Sequence, residues 1–217
     1  MRTNLQIRRV LGVTLTVLTA VAVTGCGGDT GHETAAPAGN GSTTAPTAGS
    51  SSAAAGTTAH NKADVTFAQS MILHHKQAIE MADMGETRAG NAEVKALAAK
   101  VKSTQQPEIE KMSTWLGAWG EPMPSEAAGG HGMPGMSDSE MPGMMTDKDM
   151  ASMKNAKGAA FDKMFLDMMI EHHQGAVTMA DAQQQQGQNA DAKALAETIK
   201  ADQSAEIKQM EDLLSTL

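Results

Sequence analysis

The sequence predicts an all-α protein, a four-helix bundle built from two repeated helical hairpins with a long Met-rich crossover loop between them. Three observations predict it. Residues 64–116 align with 162–214 at a constant offset of 98, without a gap and with 22 identities in 53 pairs, which marks a duplicated supersecondary unit. Within a copy, an inward stripe recurs at helical spacing in two blocks. In the first copy these are Phe67, Met71, His74, Ala78, Met81 and Ala82, then Val94, Leu97, Ala98, Val101, Gln105, Glu108, Met112 and Leu116. Gly90-Asn91 separates the blocks, with Asn91 placed to cap the second helix. Each copy is then a hairpin, and two hairpins make a bundle.

The segments outside the repeat follow in chain order. Residues 1–25 read as a signal peptide: Arg2, Arg8 and Arg9 precede an apolar run from Val10 to Val23 that is short for a membrane span. The run ends in Val23-Thr24-Gly25-Cys26, which resembles a bacterial lipobox in which Cys26 becomes the lipidated first residue. Cys26 is the only cysteine, so no disulfide can form within the chain and stability must come from packing. Residues 26–61 are Gly, Ser, Thr, Ala and Pro with almost no large apolar side chain, a linker that cannot offset its ordering entropy by burial. As a flexible coil it would reach roughly 30 Å, enough to hold a domain clear of a lipid surface.

The first hairpin is expected over 62–119, the crossover loop over 120–157 and the second hairpin over 158–217. The loop carries eight of the 18 methionines. Prolines and glycines break most of it, while Thr146 with Asp149 is placed to cap a short helix before Gly158. His131, Met133 and Met136, then Met141, Met144 and Met145, are expected to keep imidazole and thioethers exposed for soft-metal capture. Losing the signal removes Arg2, Arg8 and Arg9 and no acid, which takes the net charge from −8 to −11. So acidic a chain is a poor nucleic-acid binder.

The adjacent histidines are the chemistry-bearing feature. At 100° per residue, His74 and His75 flank the inward stripe of their helix, with Met71 between them in angle, Met81 on the other side and small Ala78 leaving room. Met169, His172, His173, Ala176 and Met179 repeat the set. In a two-fold arrangement four histidines converge at one level, where without metal they leave several ring nitrogens to be satisfied and repel one another if protonated. Imidazole with thioether and no cysteine points to copper, most naturally Cu(I). Zinc, nickel and iron suit thioether less well. If the hairpin turns at residues 89 and 90, His74 lies level with Gln105 and Met71 with Glu108; His172 and Met169 lie level with Gln203 and Glu206. These four buried polar residues need partners, and an amide or carboxylate behind a ligating imidazole is the usual outer support of a metal ligand.

Carried by Phe67-x3-Met71-Ile-x-His74-His75-x2-Ala78-x2-Met81-Ala82, by Gln105-x2-Glu108-Ile109-x2-Met112 and by their second copies, the chain resembles the secreted bacterial proteins grouped as domain of unknown function 305, placed among ferritin-like folds. The resemblance covers about residues 62–217. It implies a bundle of two repeats with a functional histidine pair and, in some members, copper binding. One departure is Pro107, which stands where the other copy has Ala205 and is expected to kink its helix.

Together these features describe a protein lipid-anchored at Cys26 to the outer face of a bacterial cytoplasmic membrane, with a metal ion and the membrane as partners and no protein partner specified. Sequestering or passing on copper needs no catalytic residue. A structural or adhesive envelope domain without metal is the alternative. A di-iron carboxylate oxidase fits less well, because such sites want Glu three residues before His, and Met71 and Met169 hold those positions.

Overall fold

The computed structural model describes residues 59–124 and 141–217, and Cys26, His131, Met133 and Met136 lie outside them. The described residues form α1 (Lys62–Arg88), α2 (Ala92–Trp119), α3 (Asp147–Asn155), α4 (Ala159–Gln186) and α5 (Ala190–Leu214). None of these helices is long and apolar enough to cross a membrane.

Side-chain caps set four of the five helix starts among the described residues, Gly158 before α4 having none. Asn61 and Asp64 close a capping box at α1, and Thr146 and Asp149 close one at α3, the short helix anticipated before Gly158. Asn91 accepts from the Glu93 and Val94 N–H groups, and Asn189 from that of Ala192. Pro107 lacks an amide donor, yet α2 continues through it to Trp119.

The repeat also explains how the hairpins grip each other. Asp64 and Asp162 are the same position in the two copies, and both are buried. Asp162 accepts the backbone N–H groups of Gly90 and Asn91, each at 2.9 Å, in the turn of the first hairpin. Asp64 accepts those of Gln188 and Asn189 at 3.1 Å, in the turn of the second, and the Gln183 amide at 2.6 Å. Each hairpin thus clamps the other's turn and satisfies amides that would otherwise be orphaned.

The apolar core comes in two blocks. One contains Met81, Leu97, Phe165, Met169 and Met210; the other contains Phe67, Met71, Met112, Leu195 and Ile199. Phe67 and Phe165, Leu97 and Leu195, and Met112 and Met210 are repeat equivalents, so one packing solution occurs twice, at opposite ends of the bundle. On α1 and α4 the histidine pairs stand between the two blocks. The bundle therefore carries a polar layer at mid-height.

Residues 141–145 overturn the expectation of exposed thioethers. Met141 and Met145 are only 5% and 6% exposed, and Met144 is half-buried. The Gln77 amide donates to the Met145 carbonyl at 2.9 Å and accepts the Met145 N–H at 2.7 Å. Gly143, at φ +76°, and Gly175 let the backbones touch: a Cβ on Gly175 would fall 1.9 Å from the Pro142 carbonyl oxygen. The segment is a strap pressed onto α4 beside His172, and a backbone held that tightly carries Met145 into the core with Met81 and Met169.

Candidate metal centre

His74, His75, His172 and His173 are all fully buried. The His75 Nε2–H donates to Glu108 Oε2 at 2.7 Å, and the His173 Nε2–H to Glu206 Oε2 at 2.9 Å. Lys100 Nζ lies 3.3 Å from the other oxygen of Glu206. The His74 Nε2–H donates to the Pro142 carbonyl of the strap at 3.2 Å. His74 and His172 face each other across the bundle, ring centroids 3.6 Å apart and planes 36° from parallel.

An acceptor at Nε2 fixes the tautomer and leaves Nδ1 as a lone pair. Among the described residues all four Nδ1 atoms lack a hydrogen-bond partner, and so does Nε2 of His172. The His74 carbonyl lies beside the His172 ring without meeting it in hydrogen-bond geometry. Buried nitrogens left unmet this way are rare in native interiors, and here they gather in one layer.

Burial, then the neighbouring His75 and His173, hold His74 well below the ordinary imidazole value of 6.5. Burial, then His74, His173 and His75, do the same for His172. Burial also lowers His173, against the opposing pull of Glu206. Burial alone would raise Glu206, but its bonds to His173 and Lys100 prevail and hold it below the ordinary carboxylate value. These directions describe neutral imidazoles backed by an ionised carboxylate.

The carboxylates stand behind histidines as expected, but behind His75 and His173, not level with Met71 and Met169. Side chains on both helices lean toward their own N-terminus. In an antiparallel hairpin, Glu108 on α2 leans toward the turn and His75 on α1 leans away from it. They meet although their backbones stand about four residues, or ~6 Å, apart in height. Gln105 is buried with neither amide atom partnered, and Gln203 Oε1 is likewise unmet. Neither glutamine is bound to an imidazole: each starts level with a histidine, and side chains that lean toward opposite ends of an antiparallel hairpin draw apart from there.

Of the expected thioethers, Met71, Met81 and Met169 are buried, while Met179 is half-buried and lines a surface groove with Met141. Among the described residues no three His, Cys, Asp or Glu side chains are disposed to hold a metal. A site in this layer therefore needs thioethers beside imidazole, or a ring rotation that turns two Nδ1 atoms together. Unmet neutral nitrogens with thioethers suit a soft or borderline cation. Pro142, Gln77 and Lys100 also belong to this neighbourhood, outside the residues that the sequence pattern marks. Two signals existed: the repeat breaks at 77/175, Gln against Gly, and at 100/198, Lys against Thr.

The sequence matches the family described as Domain of unknown function (DUF305) over residues 64–214, and the chain belongs to that family. Its fold is similar to that of a DUF305 protein from Streptomyces coelicolor described as secreted, at 34% identity over 71% of this chain and 91% of that one, TM-score 0.63. A DUF305 fragment from Deinococcus radiodurans matches at 30% identity over 72% and 98%, TM-score 0.63. CopM in its Cu(II)-bound form matches at 33% identity over 70% and 96%, TM-score 0.59. CopM is also solved bound to Cu(I) and to Ag. A search of curated proteins found no match.

Proposed function

We propose that the chain is an extracytoplasmic copper-binding protein that sequesters Cu(I) or hands it on, tethered to the membrane through Cys26. One observation carries the reading: four Nδ1 atoms stand unmet in one buried layer, those of His74, His75 and His173 left as lone pairs by acceptors at Nε2, with His75 and His173 backed by carboxylates. Thioethers of Met71, Met81, Met145 and Met169 lie in the core blocks on either side. The similarity to CopM, solved with copper and silver, supports the same chemistry. His74, His75, His172 and His173 would supply nitrogen and the methionines sulfur, while Glu108 and Glu206 orient His75 and His173 and raise their basicity. His131, Met133 and Met136 remain candidates for capture ahead of the core.

The test is an anaerobic Cu(I) competition titration. Glu108→Gln and Glu206→Gln should each weaken binding about 10- to 100-fold with the fold intact, since a carboxylate behind a ligating imidazole has that order of effect. His74→Ala should weaken it at least as much. Unchanged affinity in all three would remove the histidine layer from the binding reaction and favour the structural alternative. For the tether, Cys26→Ser should release the protein from the membrane fraction; a variant that stays membrane-bound and is processed normally refutes the anchor.

A further inference from the structure

The two copies of the histidine–carboxylate pair are not equally enclosed. Between α2 and α5 lie two grooves related by the repeat. One is lined by Pro107, Glu108, Lys111, Asp191 and Thr198 among others. Its equivalent is lined by Ala205, Gln209 and Glu93, the same positions in the other copy, but stops short of Glu206. Glu108 is 12% exposed and Glu206 only 4%. The difference has a visible cause. Lys100 reaches over Glu206 at 3.3 Å, whereas the position equivalent to Lys100 beside Glu108 is Thr198, whose short hydroxyl leaves the carboxylate facing the groove.

We infer that solvent cations reach the histidine layer through the groove at Glu108, and that Lys100 closes the equivalent door at Glu206. The groove opens to solvent with a volume of about 530 Å³, so a hydrated cation fits. Glu108 and Asp191 face it with two negative charges against the single positive charge of Lys111, and Glu108 joins this outside surface to a buried imidazole through one hydrogen bond of 2.7 Å. A cation held at Glu108 stands one side chain from the Nδ1 lone pairs. At Glu206 the ammonium of Lys100 occupies that place and repels a second cation. The groove near Met141 also touches the layer, through the Pro142 carbonyl bonded to His74, but its lining carries Lys62 and no carboxylate to draw a cation.

The inference rests on the copper reading for its cargo, and two readouts keep the two apart. Cu(I) uptake from a chromophoric chelator is followed by stopped flow, and equilibrium affinity is measured with the same chelator. Thr198→Lys, which copies the closed door onto the open one, should slow uptake about tenfold, the scale of lost electrostatic focusing, with affinity held within about threefold. Lys100→Thr, which opens the second door, should speed uptake. The metal-free readout is exchange of imidazole C2 protons in D2O by NMR: His75 should exchange faster than His173, and Lys100→Thr should remove the difference. Uptake at the wild-type rate in Thr198→Lys, or equal exchange at His75 and His173 in the wild type, overturns the route. A wild-type protein that takes up no Cu(I) but shows the exchange difference overturns the copper reading and leaves the door at Glu108 standing for other cations.

Discussion

Metal-free protein is expected to lose stability steeply as the pH falls below 6.5. His74 and His172 are held well below that value in the fold by burial and by their neighbouring imidazoles, while in the unfolded chain they titrate near it. Between the folded and unfolded values the unfolded chain binds protons that the folded chain refuses, so acid favours unfolding. The stability these groups contribute is complete above 6.5 and is lost as the pH falls toward their folded values. Each contributes a slope of up to about 1.4 kcal/mol per pH unit, so the pair gives up to ~2.7. Glu206 and Asp64 are depressed from carboxylate values and add their own losses only at lower pH. Urea melts at pH 7.5, 6.5 and 5.5 measure the slope. A midpoint unchanged between 6.5 and 5.5 would mean that both rings are hydrated and titrate freely. The same depression keeps His74 and His172 neutral, hence able to ligate, at pH values where an exposed imidazole is protonated.

The fold and the identity of the layer were legible because duplication is a sequence-level signal. The offset of 98 located both hairpins, Asn91 and Thr146 announced helix starts, and the His-His pairs fell on the inward stripe in both copies. Register within the layer was not legible. Level-matching by residue number treats side chains as points on the axis, whereas Glu108 and His75 lean in opposite directions and meet about a turn away from the expected pairing. Met145 was hidden for another reason. Its burial comes from Gln77 and Gly175, which lie in the other segments of the chain, and the contact between two glycine backbones explains how a Pro-Gly strap lies close enough to α4 to send Met145 into the core. The clamps at Asp64 and Asp162 are long-range bonds spanning more than 70 residues, and local pattern carries no trace of them beyond an aspartate that recurs in both copies.

Asp64→Ala should be among the most damaging single substitutions outside the histidine layer, costing about 3 kcal/mol or more, because it strips the acceptor from several donors at about 1–3 kcal/mol for each one left buried and unmet. Its carboxylate is fully buried and serves the N–H groups of Asn61, Gln188 and Asn189 and the amide of Gln183. Truncation leaves the buried donors of Asn189 and Gln183 without an acceptor. Asp162→Ala should cost less, because among the described residues Asp162 serves two N–H groups, those of Gly90 and Asn91. Asp64→Asn should fall between wild type and alanine: its amide oxygen still accepts, while its NH2 group is turned toward other donors. For a domain of this size the alanine variant should melt about 10 °C or more below wild type. An Asp64→Ala loss under 1 kcal/mol, or one equal to that of Asp162→Ala, would show that the turns hold without the clamp. The consequence extends to the metal layer. The histidines lie at mid-height between the two clamped ends, so the height of one hairpin against the other sets whether His74 meets His172 at 3.6 Å. Releasing one end frees that height, and at temperatures where Asp64→Ala remains folded its Cu(I) affinity should fall although no ligand has been touched.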